Sequence, residues 1–346
     1  MIHQPHIVPR SQHGITLVEV MIAMAIGLVL ITGVIQLFLS NKVTYTMTEG
    51  QARIQENARF AIAILSHDIR MAGYMGCGNS NMQSTSTGMP QVYVNNIVKD
   101  PPANILFGLE STLNGINDAA SDDLPDIIVG TDAITLSRAS ETSAQLDGNL
   151  ASNNANIQLS GNPGGWKKDD ILFITDCRHA DIFQATTVSS AKGKTTIAHA
   201  KGVNIDNKLS KIYSEDAMIM SFSSSTYYIA DTGRTNQAGE PLHSLYYIDI
   251  SGTPVELIEG VSDMQITYGE NTDNDNTGTA DTYVDADTVT NWSDVVSVRL
   301  ALLLDSIENI TSEAQTYSFE GNDITAGDRR LRRSFTTTIS LRNRSS

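Results

Sequence analysis

Three sets of residues in this chain have types and spacings that could do chemistry. The first is Gly14-Ile15-Thr16-Leu17-Val18-Glu19, in which Glu19 is the one formally charged residue among the 25 from Ile15 to Leu39. A carboxylate at the bilayer centre costs ~2.5–3.5 kcal/mol on insertion scales, so a lone one near the start of an apolar helix calls for a partner. A polar leader, Met1 to Gly14, precedes it and carries Arg10 and three histidines. Together these features read as a processing site joined to a membrane helix with a functional charge. The second set is Cys77 and Cys177. Two cysteines in an exported protein are the number for a single bridge; two separate buried thiols are the other reading. A bridge would close a loop of about 100 residues, contributing up to ~4–5 kcal/mol in the chain-entropy model. The third set lies in Asn271 to Asp281, where Asp273, Asp275 and Asp281 place carboxylates around Gly278, the parts of a calcium loop. Counted from Asp273, Gly278 is sixth and Asp281 ninth, but Val284 stands twelfth, where a bidentate Glu belongs. A solvated acidic loop fits the same residues.

Beyond these sets the sequence offers little chemistry. His3, His6 and His13 lie in the leader, and His67, His179, His199 and His243 lack metal-ligand spacing. Cys177-Arg178-His179 would pair a thiol with an imidazole only if the cysteine were free. Phosphate loops, dinucleotide fingerprints and nucleophile elbows are missing, so an enzyme is not expected. A net charge of −16 over 346 residues argues against direct nucleic-acid binding. Arg329, Arg330, Arg332 and Arg333 stand out on so acidic a chain. They read either as a docking patch for an acidic partner or as a strand face paired with the molecule's own carboxylates.

A long helix and then strands must position these groups. At ~1.5 Å per residue, Ile15 to Leu39 would span ~37 Å, enough for a ~30 Å hydrocarbon core. The helix should continue, because Ser40 to Ala72 holds no Pro and a single Gly, Gly50. Val43, Met47, Ile54, Ala58, Ile62, Leu65 and Ile69 recur as one apolar stripe, opposite Lys42, Glu49, Arg53, Glu56, Arg59, Asp68 and Arg70. The expectation is one helix of roughly 55 residues, apolar all round in its first half and amphipathic in its second, ending at Gly73, Gly76 and Gly78. Strands are expected at 91–98, 127–129, 133–137, 153–160, 171–174, 182–188, 218–222, 226–230, 244–249, 255–258, 260–269, 295–304 and 331–341. The solidly apolar Ile171 to Ile174 suggests burial on both faces. Arg10 on one side of the span and Lys42 on the other orient the amino terminus toward the cytoplasm.

Several of these segments carry a resemblance. Gly14 followed by Ile15, Thr16, Leu17, Val18 and Glu19 resembles the class III signal of type IV pilins and type II secretion pseudopilins, with Ile15 where Phe is usual. Asp68-Ile69-Arg70-Met71-Ala72-Gly73-Tyr74-Met75-Gly76-Cys77 resembles the end of the long helix in PilW-type minor pilins. Asp176-Cys177, Asp181-Ile182-Phe183 and Gly260 to Gly269 are similar to that family too. The resemblance implies an α+β, pilin-like fold: leader 1–14, membrane or filament-core helix 15–39, amphipathic continuation 40–73, and a β-rich head 74–346. It implies cleavage between Gly14 and Ile15 by prepilin peptidase, N-methylation of Ile15, and docking in which Glu19 meets a terminal amine. Expected partners are other minor pilins, the major pilin, the peptidase, the inner membrane before assembly, and a tip adhesin. The expected role is to prime or cap a type IV pilus serving twitching, adhesion or DNA uptake, with the head in the periplasm or at the pilus tip. A J-type pseudopilin of type II secretion is the alternative, and a membrane-anchored glycan-binding β-domain the third reading. Calcium is the one ion for which the sequence offers a site.

Overall fold

The structure is a computed structural model that describes residues 16–76, 93–99, 112–250, 252–273 and 278–342. Gly14, Ile15, Cys77, Gly78 and Asp275 lie outside these residues. The chain divides into a unit of residues 1–50 and a unit of residues 51–346. Helix α1 (Leu17–Met71) has 55 residues, the length the apolar pattern predicts.

Within the first unit, no side chain from 16 to 50 is buried. By length and composition α1 can cross a membrane, with a mean hydropathy of 2.5 over its most apolar stretch. Its threonines make themselves compatible with such surroundings. Thr32 donates to the carbonyl of Leu28 at 2.8 Å and Thr48 to that of Thr44 at 2.8 Å, so these hydroxyls need no water.

Within the second unit, α1 buries Ile54, Ala58, Ala61, Leu65 and Ile69. The stripe is therefore real from Ile54 onward. Val43 and Met47, expected on it, are exposed and belong to the first unit. Burying each large aliphatic side chain of the stripe is worth ~1.5–3 kcal/mol. The helix ends at Gly73, whose φ of 75° is the left-handed C-cap conformation and whose amide donates to Ser137 at 2.9 Å.

The strands follow in order: β1 (Tyr93–Asn96), β2 (Leu113–Ile116), β3 (Ala133–Gln145), β4 (Ile157–Ser160), β5 (Ile171–Thr175), β6 (His179–Gln184), β7 (Thr187–Ala191), β8 (Lys194–Ala198) and β9 (Met218–Thr235). The remainder are β10 (Pro241–Asp249), β11 (Pro254–Glu259), β12 (Val261–Glu270), β13 (Thr282–Val284), β14 (Val295–Asn309), β15 (Thr316–Phe319), β16 (Asn322–Thr325) and β17 (Arg330–Ser340). The largest sheet runs β1-β6-β5-β9-β10-β11, with β3 also on β9 and β2 on β3. A second sheet runs β13-β12-β14-β17, and β4-β8-β7 and β15-β16 form smaller ones. The buried stripe of α1 shares one core with Ile134, Tyr227 and Leu245 of the first sheet and Met264, Leu300 and Ile339 of the second. The fold is α+β and pilin-like: a long amino-terminal helix followed by a large β-rich head.

Differences from the sequence expectation have local causes. Strand β9 is continuous where Ser223-Ser224-Ser225 suggested a break. The serines lie inside the sheet, with Ser137 donating to Ser224 at 3.0 Å and Thr135 paired with Thr226 at 2.8 Å. Ile127 to Val129 is not a strand but a turn touching β9 through one bridge, Ile127 to Ala230. Asp126 and Gly130 at its ends have φ of 53° and 83°. The segment 182–188 splits at Ala185-Thr186 into β6 and β7, which belong to different sheets. Strand β5 is buried along its whole length, as its composition suggests, but its neighbours β6 and β9 are antiparallel.

Candidate functional site

The amino-terminal turn of α1 carries the one charge of the apolar run. Thr16 is the cap: its hydroxyl oxygen accepts from the amide of Glu19 at 3.3 Å. Glu19 Oε2 in return accepts from the amide of Thr16 at 2.9 Å and from its hydroxyl at 3.0 Å. This is a capping box, in which two donors at the helix start are satisfied by one Thr-x-x-Glu pair. Glu19 Oε1 has no hydrogen-bond partner among the described residues. Glu19 also lines a shallow, open groove with Val20, Ala23 and Met24. The arrangement offers an acceptor oxygen on an exposed apolar surface, with the carboxylate already oriented. Thr16 went unassigned in the sequence reading, although Thr16-Leu17-Val18-Glu19 is itself the capping-box signature.

The junction of helix and head is polar as well as apolar. Asp68 accepts a hydrogen bond from the Tyr227 hydroxyl on β9 and lies 3.3 Å from Arg138 on β3. Burial raises the Tyr227 pKa, and its hydrogen bond to the Asp68 carboxylate pushes the same way. Asn57 Nδ2 donates to the carbonyl of Glu259 at 2.9 Å. Sequence spacing had placed Asp68 on the solvated face of the helix; Arg138 and Tyr227 lie more than 60 residues away, and no local signal reveals them.

The other sequence-derived groups do not converge. Cys177 is disulfide-bonded, with φ of 70°, at the turn between β5 and β6. Asp281 Oδ2 accepts from the amides of Thr272 and Asp273 at 2.7 and 3.2 Å, so this carboxylate closes its own loop. Among the described residues no cluster of three His, Cys, Asp or Glu side chains could hold a metal. Two of the four arginines are spent inside the head. Arg332 forms a two-pronged pair with Asp328 at 2.6 and 2.8 Å and reaches Asp305 at 3.3 Å; Arg330 binds Asp328 at 2.8 Å. Burial raises the Asp328 pKa, but the hydrogen bonds from Arg332 and Arg330 outweigh it and hold the carboxyl well below its usual range. Arg329 and Arg333 are exposed.

Comparison with known proteins adds identity to this geometry. Residues 226–343, which run from within β9 through β17, match the family model of Type IV Pilus-assembly protein W. Residues 9–35 match the prokaryotic N-terminal methylation motif. An 88-residue stretch is 32% identical to the pilin-like protein PilA3 of Thermus thermophilus, covering 25% of this chain and 37% of that protein's length.

Proposed function

We propose that the chain is a PilW-family type IV minor pilin that primes or caps the pilus, a reading supported by the matches of residues 226–343 and 9–35. Prepilin peptidase cuts between Gly14 and Ile15, and the new amine is methylated. The processed chain waits in the inner membrane, spanning it once, with the head in the periplasm. On assembly, the apolar run from Ile15 to Leu39 leaves lipid for the helices of neighbouring subunits. Glu19 enters that core already ordered by Thr16, and its second oxygen takes the terminal amine of a neighbour. In a low-dielectric core an unpartnered carboxylate is costly and a paired one is not, so the pair selects the correct axial register. The partners are other minor pilins and the major pilin, with a tip adhesin where the pilus carries one. Twitching, adhesion and DNA uptake are the behaviours such a pilus serves; with a net charge of −16, contact with DNA runs through partners. The role is structural, with no reaction assigned. The single supporting observation is the exposed apolar helix whose lone carboxylate is pre-set by a capping box.

Counting surface pili in cells that lack the chain tests the reading. Piliation should fall and return when the wild-type chain is supplied. Normal piliation with blocked export of secreted proteins would transfer the chain to the J-type pseudopilins. Mass spectrometry of the mature chain should find methylated Ile15 as its first residue. The Cys77–Cys177 bridge belongs to the same proposal, and non-reducing mass mapping tests it. Calcium at Asp273, Asp275 and Asp281 is a further proposal. It needs a rearrangement at Asp281, and titrating the full chain with calcium tests it.

A further inference from the structure

A cavity of about 290 Å³ opens between the Pro125–Asp126 turn and the β9–β10 pair. Its floor is Tyr228, which is fully buried and whose hydroxyl has no hydrogen-bond partner. Tyr246, directly opposite in the β9–β10 register, forms a wall, with the two ring centroids 6.1 Å apart. Asp126 and Asp231 stand at the mouth, held together by a 2.9 Å backbone hydrogen bond from the Asp231 amide to the Asp126 carbonyl. Both are exposed, and among the described residues neither is paired with a cation. Asp231 Oδ1 accepts from the Gly233 amide at 2.9 Å. Pro125 and Pro254 supply apolar rims. Burial pushes the Tyr228 hydroxyl up to about 12, and the Asp126 carboxylate pushes the same way, so the phenol and that carboxylate share one local field.

The composition of the lining selects a ligand. Lys, Arg, His, Asn and Gln are missing from it. Thr232, its one aliphatic hydroxyl, is spent on the Leu242 carbonyl at 2.8 Å and the Arg234 amide at 3.1 Å. A sugar asks for several donors and acceptors in balance, whereas the donors here are the two phenol hydroxyls and the charge is that of two carboxylates. A cation with an apolar stem asks for carboxylates, an aromatic face and apolar walls, and all three are present. We propose that this cavity binds an alkylammonium group, held by the carboxylates of Asp126 and Asp231 against the ring of Tyr246. That chemistry belongs both to a lysine side chain of another protein and to a free polyamine. The site stands independently of the assembly role of the helix.

The test is saturation-transfer NMR on the full chain in detergent, with three probes: the capped amino acid Nα-acetyl-lysine amide, putrescine, and glucose. Both amines should bind and compete, and the tighter one names the natural source. Asp126→Asn combined with Asp231→Asn should weaken them by roughly tenfold or more, the loss expected of a charge-assisted contact. Asn tolerates the left-handed backbone of residue 126 and keeps the turn acceptor of residue 231, so the head should keep its thermal midpoint. Asp216→Asn, on the exposed surface elsewhere, should leave binding unchanged. Glucose bound in preference to the amines, or amine binding indifferent to the double variant, would overturn the proposal.

Discussion

From residue 16 to residue 50, α1 and its cap bury no side chain, whereas from Gln51 to Met71 the same helix buries five. Secondary structure is identical in the two stretches, so the difference lies in what each face is made to meet. The second stretch confines its apolar residues to one stripe and finishes its contacts within the chain. The first is apolar on every side as far as Leu39, and none of its described side chains is buried. In the function proposed above, its burial comes from lipid and then from other subunits as the chain leaves the membrane for a filament. Polar groups follow the same division. Asp68 meets Tyr227 and Arg138 inside the head, while one oxygen of Glu19 has no partner among the described residues.

Leu65→Ala against Leu28→Ala breaks or sharpens this contrast most strongly. Leu65 is fully buried and Leu28 is 65% exposed. The first change should destabilise the head by ~2–5 kcal/mol, seen as a lower thermal midpoint. The second should leave that midpoint unchanged. Equal effects of the two would erase the distinction.

A pH titration separates the stretches next. Burial pushes the Asp132 carboxyl up to about 7, even though the amides of Asp118 and Ile266 donate to it at 3.0 and 2.7 Å. The folded value lies above the unfolded value of 3.8, so folding favours the protonated acid. Its contribution is full below about pH 4 and is lost as pH rises through about 7, a difference on the order of 4 kcal/mol. Asp328 works in the opposite sense, because its folded value is depressed. Its contribution is present above the ordinary carboxylate range and is lost only in strong acid. The thermal midpoint of the head should therefore fall between pH 5 and pH 8. Asp132→Asn should flatten that slope, and amide exchange in residues 20–50 should show no matching protection change beyond the intrinsic rate.

Smaller effects probe the two polar anchors. Tyr227→Phe leaves Asp68 without its hydroxyl donor and should cost ~1–3 kcal/mol of head stability, read from denaturant unfolding. Thr16→Val removes the capping box and should cost about 1 kcal/mol, confined to faster amide exchange in the first turn of α1. A change of the head's thermal midpoint in Thr16→Val would contradict the separation.

How much of this was legible follows from the range of each interaction. The helix was readable to within two residues because its signals are local: an unbroken apolar run, the stripe from Ile54 to Ile69, and glycine at the end. Strands with runs of aliphatic residues, such as β5 and β14, were readable for the same reason. The unity of β9 was hidden, since Ser224 in the seeming break and Thr226 beside it are satisfied by side chains of β3, about 90 residues away. The fate of the arginines was half legible. Composition showed carboxylates enough to pair them, but only the fold brings Asp305 and Asp328 to Arg330 and Arg332. Of the amino-terminal site, Glu19 stood out by its isolation, whereas Thr16 blended into an apolar context despite its three-residue spacing.

The most direct measurement compares Glu19→Gln with the wild-type chain in living cells, quantifying each in the inner membrane and in pili sheared from the surface. Gln keeps the size of the side chain and an acceptor oxygen for Thr16 but cannot form an ion pair. The account predicts equal membrane levels and a drop of roughly tenfold or more in the pili, the scale expected when a buried ion pair loses one partner. Equal amounts of both chains in the pili would contradict it.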